Sequence, residues 1–412
     1  MNVWKISWQN IRSKPLYTFL SIGVLTLSIT LLLGIQQLKY AFKNQIETNL
    51  GNIDLVIGAK GSPLQLVLAS VLHLDNPTGN ISYAEAQKII KNPRVKSAVP
   101  MSYGDNYKGY RIVGTTEAFL SIYKAELETG RYVAQSMEVV LGASVAQSLN
   151  LKLGDTFLSS HGLVENNVEV HNDELTIVGI LKPTHKVIDR LIVTNLESIW
   201  EVHHHEDEHQ SHEDHQHHHH HDDGAEEREA DKDITSLLVK FKSARSLLTF
   251  PRKINESTNL LAALPSFELH KLYEYTSVGF KTITWIAYVI LVMSGLTIFI
   301  SLYKMVKERA FDLAILRTYG ASNFQLIKMV LYEGLMIAFL AFVIGYFLVE
   351  IGLAIGSNYM LNKSQQNLLI NLPLQELLYV AGLIFMMVIL SVSLAIYPII
   401  KMNISTILSH EK

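Results

Sequence analysis

TITWIAYVILVMSGLTIFISLY, residues 282–303, decides the fold. It carries no charge over a length that covers a hydrocarbon core, which takes about 20 residues of helix. Three other runs read the same way: about 16–38 and 377–400 without a charge, and 329–355 with Glu333 near its start and Glu350 near its end. One such run could be a buried soluble helix; four predict four membrane spans. The composition agrees, with 49% hydrophobic and 18% charged residues over 412 positions. The first run reads as a retained anchor, because its apolar core is too long for a cleaved signal and no small-residue cleavage site follows it. The absence of cysteine excludes a disulfide framework and a thiolate metal site.

Basic residues set the orientation, since cytoplasmic loops carry the excess of Lys and Arg. Lys5, Arg12 and Lys14 precede the first run, and Lys304, Lys307, Arg309, Arg317 and Lys328 lie between the second and third. Lys401 and Lys412 follow the fourth, whereas the third connection (356–376) holds only Lys363. This predicts a cytoplasmic N-terminus, a cytoplasmic connection at 304–328, a cytoplasmic tail at 401–412 and an external segment at 41–279. Trp4, Trp8 and Ile11 form an apolar stripe within 1–15, as in a helix lying at the inner interface. The formal net charge of −3 hides an asymmetry: residues 201–233 hold 13 acidic and 2 basic side chains.

The 41–279 segment is mixed in pattern. Strands are predicted at 53–57, 111–114, 139–142, 175–180, 190–193 and 234–241, and helices at 83–91, 144–150 and 244–257. The expected fold is an α-helical membrane protein with four transmembrane helices plus a large α+β extracytoplasmic domain inserted between helices 1 and 2. Helices at 39–49 and 268–281 are expected to extend the first and second spans out of the membrane.

Within this domain lies a polar tract, HHHEDEHQSHEDHQHHHHH, residues 203–221. Its candidate metal ligands are His203, His204, His205, His209, His212, His215, His217, His218, His219, His220 and His221. Imidazole and carboxylate suit zinc and other divalent ions, so a low-specificity buffer or sensor is expected, or a plain polar insertion at a loop tip. Catalytic signals are missing. No phosphate-binding G-x-x-x-x-G-K-[ST] motif occurs, and Gly58-Ala59-Lys60-Gly61-Ser62-Pro63 reads as a turn after a strand. His73, His161, His171 and His185 are scattered singly, with no nucleophile–base arrangement and no nucleic-acid signature.

Two further features stand near the membrane. Glu333, about one turn into the third run, is read either as an interfacial, snorkelling side chain or as a helix-packing and coupling residue. Gly352 and Gly356 form a small-x-x-x-small pair that hints at close helix contact. The most informative stretch runs Lys307-Glu308-Arg309-Ala310-Phe311-Asp312-Leu313-Ala314-Ile315-Leu316-Arg317-Thr318-Tyr319-Gly320-Ala321-Ser322. Helical spacing over 304–319 stops at Gly320, and Ser322 is placed to cap the next helix. A short helix held between two spans can dock into a soluble partner.

At these residues the chain resembles the FtsX-like, MacB-type (LolC/LolE-like) ABC transporter permease family. The resemblance rests on Glu308-Arg309, on Ile315-Leu316-Arg317-Thr318-Tyr319-Gly320-Ala321 and on Leu331-Tyr332-Glu333-Gly334-Leu335. It extends to Val139-Val140-Leu141-Gly142-Ala143-Ser144-Val145-Ala146, Ile177-Val178-Gly179-Ile180-Leu181 and Trp8-Gln9-Asn10-Ile11-Arg12. Thr318-Tyr319 departs from the family's small-apolar pair, and the histidine tract lies outside the pattern. The resemblance implies a non-catalytic permease in the inner membrane, with ATP and magnesium held by a separate cytoplasmic ABC ATPase and no cofactor in this chain. It further implies a second permease copy or paralogue and a periplasmic adaptor or binding protein. Glu308, Arg309, Ala314, Ile315, Leu316, Arg317, Gly320 and Ala321 would couple to the ATPase, and Glu333 is the transmembrane coupling candidate. The implied work is mechanotransmission that exports or extracts a peptide, lipid or lipoprotein-like cargo. A signalling subunit that regulates an external enzyme, and a zinc-linked transporter or sensor, are the alternatives.

Overall fold

The computed structural model describes residues 9, 12, 15–160, 170–202, 232–308, 311, 315, 318–320, 322–363 and 372–401. The 1–15 stripe residues Trp4, Trp8 and Ile11 and the 203–221 tract lie outside the described residues. The chain divides into two compact units, one of Met1–Phe42 with Tyr275–Lys412, the other Lys43–Glu274.

Among the described residues, four helices are long and apolar enough to span a membrane: α1 (Pro15–Asn49), α7 (Pro265–Glu308), α8 (Asn323–Lys363) and α9 (Leu374–Lys401). Proline suits the first position of a helix, where its missing N–H costs nothing, and α1 and α7 both begin on one. The expected extensions at 39–49 and 268–281 are present as unbroken parts of α1 and α7.

In the membrane unit the helices bury Leu25, Ile29, Leu33, Ile298, Leu302 and Val388 in one core. Lipid gives apolar side chains no reason to leave it, so small residues and hydroxyls supply the close contacts. Thr26 and Thr30 of α1 donate to the Ala341 and Gly345 carbonyls of α8, each at 3.4 Å. Ser294 of α7 donates to Val24 at 3.2 Å, and Ser391 of α9 to Gly295 at 3.0 Å. A Cβ on Gly345 would lie 2.9 Å from Ile29, so glycine is what lets α1 and α8 approach. Among the described residues nothing lies within 4 Å of a Cβ at Gly352 or Gly356, and the close approaches fall at Gly295, Gly334 and Gly345.

The second unit is an α+β domain on a mixed ten-stranded sheet. Its strands are β1 (Leu55–Ala59), β3 (Val95–Tyr107), β4 (Tyr110–Thr115), β5 (Leu127–Gly130), β6 (Glu138–Leu141), β7 (Thr156–Ser160), β8 (Val170–Leu181), β9 (Leu191–Asn195), β11 (Ser236–Phe241) and β12 (Leu260–Ala263). A two-stranded ladder joins β2 (Ile81–Ser82) to β10 (Asp233–Ile234). The main order is β12-β1-β11-β3-β4-β9-β6-β8-β5, with β7 paired to β3 and β8. The strand after α1 and the strand before α7 are neighbours, with Val56 opposite Ala263. Short helices α2 (Pro63–Ser70), α3 (Tyr83–Ile90), α4 (Ala118–Tyr123), α5 (Ala143–Leu149) and α6 (Ser246–Ser257) complete the domain.

Alternation decides which face is buried. Leu55 and Ile57, with Leu237, Val239 and Phe241, meet Phe250 and Ile254 of α6 in one core cluster. Ile112, Val139, Leu141, Ile177 and Ile192 meet Val145 of α5 in another. Three local readings change. The Gly58–Pro63 stretch is not merely a turn: Gly58 and Ala59 stay in β1, and the Ser62 hydroxyl accepts from the Gln65 N–H to open α2 with Pro63 in its first turn. The predicted strand at 234–241 splits into β10 and β11. Finally, the local pattern of β3 does not predict a strand, because Pro100 and Gly104 interrupt it. Gly104 falls inside a register shift between Tyr103 and Asn106 on the β4 side, while Pro100 sits in register opposite Leu237 of β11.

Candidate functional site

α7 ends at Glu308, which is exposed, and helical backbone recurs at Phe311, Ile315 and Thr318. The Tyr319 N–H still donates to Ile315 at 3.1 Å, and the chain then turns at Gly320 with φ +91. A side chain is strained in that region of backbone space, so glycine permits the stop. On the far side, the Gln325 N–H donates to Ser322 Oγ at 3.3 Å, and the Ser322 N–H donates to Gln325 Oε1 at 3.1 Å. This reciprocal pair is a capping box, which satisfies two end N–H groups of α8. The turn therefore has a defined shape, with Phe311, Tyr319 (86% exposed) and Phe324 (72%) uncovered around it.

Of the predicted coupling residues, Glu308 and Gly320 are exposed and Ile315 is half-buried. Arg309, Ala314, Leu316, Arg317 and Ala321 lie outside the described residues, as does every histidine from His203 to His221. Glu333 is only 1% exposed, so its carboxylate sits in the helix interior and does not snorkel. Beside it, a Cβ on Gly334 would meet Val392 and Val388 of α9 and Leu302 of α7. Lys304 of α7 bonds the Tyr17 hydroxyl of α1 and lies 4.6 Å from that ring's centroid, so the end of α7 and the start of α1 share one end of the bundle.

In the sheet domain, two polar arrangements carry no signal in the sequence. Asn49, the last residue of α1, is fully buried. Its amide donates to Gln45 at 2.8 Å and accepts from the Val187 N–H at 2.9 Å. The 3-10 turn at Val187–Arg190 is fixed in turn by Asp189, whose carboxylate accepts from the Thr184 N–H and hydroxyl and from the His185 N–H at 2.7–3.0 Å. The second arrangement is Glu138, held by both ends of the Arg131 guanidinium and by the Ala134 and Gln135 N–H groups at 3.0 and 3.1 Å. The Arg131 hydrogen bond, reinforced by those N–H groups, holds its carboxyl down at about 2 against the burial that opposes it.

The scattered histidines do not assemble. His73 is buried with Nδ1 2.6 Å from the Tyr103 hydroxyl, which itself donates to the Ala69 carbonyl. Burial, with Arg190 and Arg111 near, lowers its pKa to about 3, so the ring stays neutral. His171 lies in β8, His185 in the turn before Asp189, and His161 outside the described residues. Among the described residues no group of three or more metal-ligating side chains occurs.

A model of the MacB-like periplasmic core domain matches residues 18–254, and one of the FtsX-like permease C-terminal region matches residues 285–404. The periplasmic region of MacB from Actinobacillus actinomycetemcomitans is similar at 12% identity and a TM-score of 0.35, covering 56% of this chain and 97% of that one. The extracellular domain of the noncanonic ABC-type transporter YknZ from Gram-positive bacteria is similar at 12% identity and a TM-score of 0.30, covering 52% and 98%. Comparison with curated proteins gave no match.

Proposed function

This chain belongs to the MacB/FtsX-type family of ABC transporter permeases, and from that premise we propose that it transmits force and catalyses nothing itself. A separate cytoplasmic ABC ATPase, carrying ATP and magnesium, docks on the 304–322 connection. The observation that carries this reading is the capped turn at Gly320 and Ser322 with Phe311, Tyr319 and Phe324 exposed around it. A preorganised turn loses little freedom on docking, and exposed aromatics make effective anchors.

α7 has 44 residues, about 66 Å at 1.5 Å per residue, roughly twice the hydrocarbon thickness. An unbroken helix of that length can carry a displacement of the docked turn to β12, which lies immediately before it. The positive charge of the 304–328 connection supports a cytoplasmic turn and an external sheet domain in a cell (inner) membrane. The cargo class that suits such a device is a peptide, lipid or lipoprotein-like molecule met outside the membrane. A second permease copy or paralogue and an external adaptor complete the assembly.

The test is purification in detergent, with identification of co-purifying chains and measurement of ATP hydrolysis. Wild type should retain an ATPase, and Tyr319→Asp should lose it while still folding. Retention by the variant, or protease cleavage at 203–221 only from the cytoplasmic side, would overturn the reading.

A second role is carried by composition alone: 11 of the 17 histidines fall in 203–221. We propose that this tract binds zinc or a similar divalent ion weakly. Deleting 203–221 should change metal tolerance; unchanged tolerance and unchanged metal retention would reduce it to a polar insertion.

A further inference from the structure

β12 closes one end of the ten-stranded sheet: β1 pairs along one of its edges, and among the described residues no strand pairs along the other. Helices cover both faces at this end. Phe250 and Ile254 of α6 share a core cluster with Leu55 and Ile57, and Leu66 of α2 lies where a Cβ on Gly58 would stand. A helix on a face still leaves the edge of the strand open, and an open row of N–H and C=O groups is a template for another chain.

Side chains occupy that row. The Asn255 amide of α6 donates to the Ala262 carbonyl at 3.1 Å, and its oxygen accepts from the Ala262 N–H at 2.6 Å. A residue of a neighbouring antiparallel strand would exchange the same two bonds. Antiparallel pairing also sends the groups of alternate residues to alternate edges. Because Ala262 gives both of its groups to Asn255, it faces away from β1, and Leu260, two positions earlier, faces the same way. The Leu260 N–H donates to Thr258 Oγ1 at 3.2 Å, and that hydroxyl donates to the Ile254 carbonyl at 2.7 Å. Both outward N–H groups of β12 are therefore engaged from the α6 side.

The strand being shielded suits self-pairing. Leu260-Leu261-Ala262-Ala263 carries no charge and no proline. Two open copies would pair about a two-fold axis without the opposed like charges that destabilise a ladder.

We propose that Asn255 and Thr258 act as a strand surrogate, closing the β12 edge so that two copies of this chain do not join sheet to sheet. The inference goes beyond the permease reading, since no ATPase, cargo or side of the membrane enters it.

The test uses the full chain in detergent. It has no cysteine, so Leu261→Cys gives a single reactive site on β12. Facing Cβ atoms of a self-paired edge would lie about 4.5–5.5 Å apart, within reach of a short bismaleimide. Leu261→Cys alone should stay uncoupled. Adding Asn255→Ala and Thr258→Ala should raise the yield of covalent dimer at least tenfold. Asn255→Ala alone, which keeps the Thr258 bond, should give a smaller rise. Asn255→Asp, which keeps the bond to the Ala262 N–H and sets a charge on the edge, should give none. Wild-type amide exchange across 237–241 of β11 shows that the sheet is intact, and the milder single variant replaces the double one if that exchange quickens. No rise in an intact variant, or equal coupling with and without Asn255, would overturn the proposal.

Discussion

Asn49 accepts a hydrogen bond from the Val187 N–H at 2.9 Å across 138 positions of sequence. The last residue of the first membrane-entering helix is thereby fastened to the turn that feeds β9. Asn49→Ala leaves that buried N–H without a partner, a loss of about 1–3 kcal/mol. The thermal midpoint of the full protein should drop, and slow-exchanging amides at 187–193 should exchange faster. Unchanged exchange there would show that the fastening contributes nothing.

Glu138 sets an acid limit on the sheet domain. Its carboxyl sits at about 2 in the fold against an ordinary 4.5. A depressed folded value stabilises fully above the unfolded value and is lost as pH falls through the folded one. Wild-type stability should therefore decline between about pH 4.5 and 2. Glu138→Gln should be less stable at neutral pH and show a flatter decline over that window. Urea midpoints at a series of pH values, compared between the two proteins, decide it; parallel curves would refute it.

The turn at Gly320 should tolerate little. Gly320→Val forces a branched side chain into φ +91, at a cost of about 1–2 kcal/mol. Ser322→Ala removes the α8 cap, worth about 1 kcal/mol. Both variants should fold, because the helix core lies elsewhere, and both should capture less ATPase than wild type. Equal capture in pull-downs would mean that the shape of the turn is immaterial.

Gly345→Leu should damage the membrane unit more than Gly352→Leu. The first would drive a side chain into Ile29, while the second meets open space. The thermal midpoint in detergent should fall several degrees for the first and stay near wild type for the second.

The base of the histidine insertion is tied independently of it. Trp200 donates to the Asp233 carbonyl at 2.7 Å, and Lys232 lies 5.0 Å from the same ring's centroid. Deleting residues 203–231 with a short glycine linker should leave the melting temperature unchanged and remove nickel-resin retention. A large stability loss would show that the insertion supports the fold.

Much of this architecture is written in local pattern. Four uncharged or nearly uncharged runs mark the spans, and alternation at Leu55/Ile57 and Val139/Leu141 marks strands because one face of a sheet must be buried. The helix stop at Gly320 and the cap at Ser322 were legible from residue type alone. What was hidden depends on distant partners. β3 carries Pro100 and Gly104, which speak against a strand locally, and only pairing with β11 and β4 imposes one. The burial of Glu333 was obscured because depth along a helix says nothing of which side faces neighbours. Asn49 joins segments far apart in sequence, so no window of neighbours announces it; Glu138 draws its partners from Arg131, Ala134 and Gln135 close by, but no residue pattern marks the loop that brings them together.

The adjacency of β1 and β12 has a mechanical meaning. A domain that leaves and rejoins the chain through side-by-side strands is loaded like a zip held by its two tabs. Drawing the two legs apart loads the Val56–Ala263 rung first and opens the β1–β12 seam rung by rung, while β11 still grips the other edge of β1. That seam is where a strain-sensing label should be sewn.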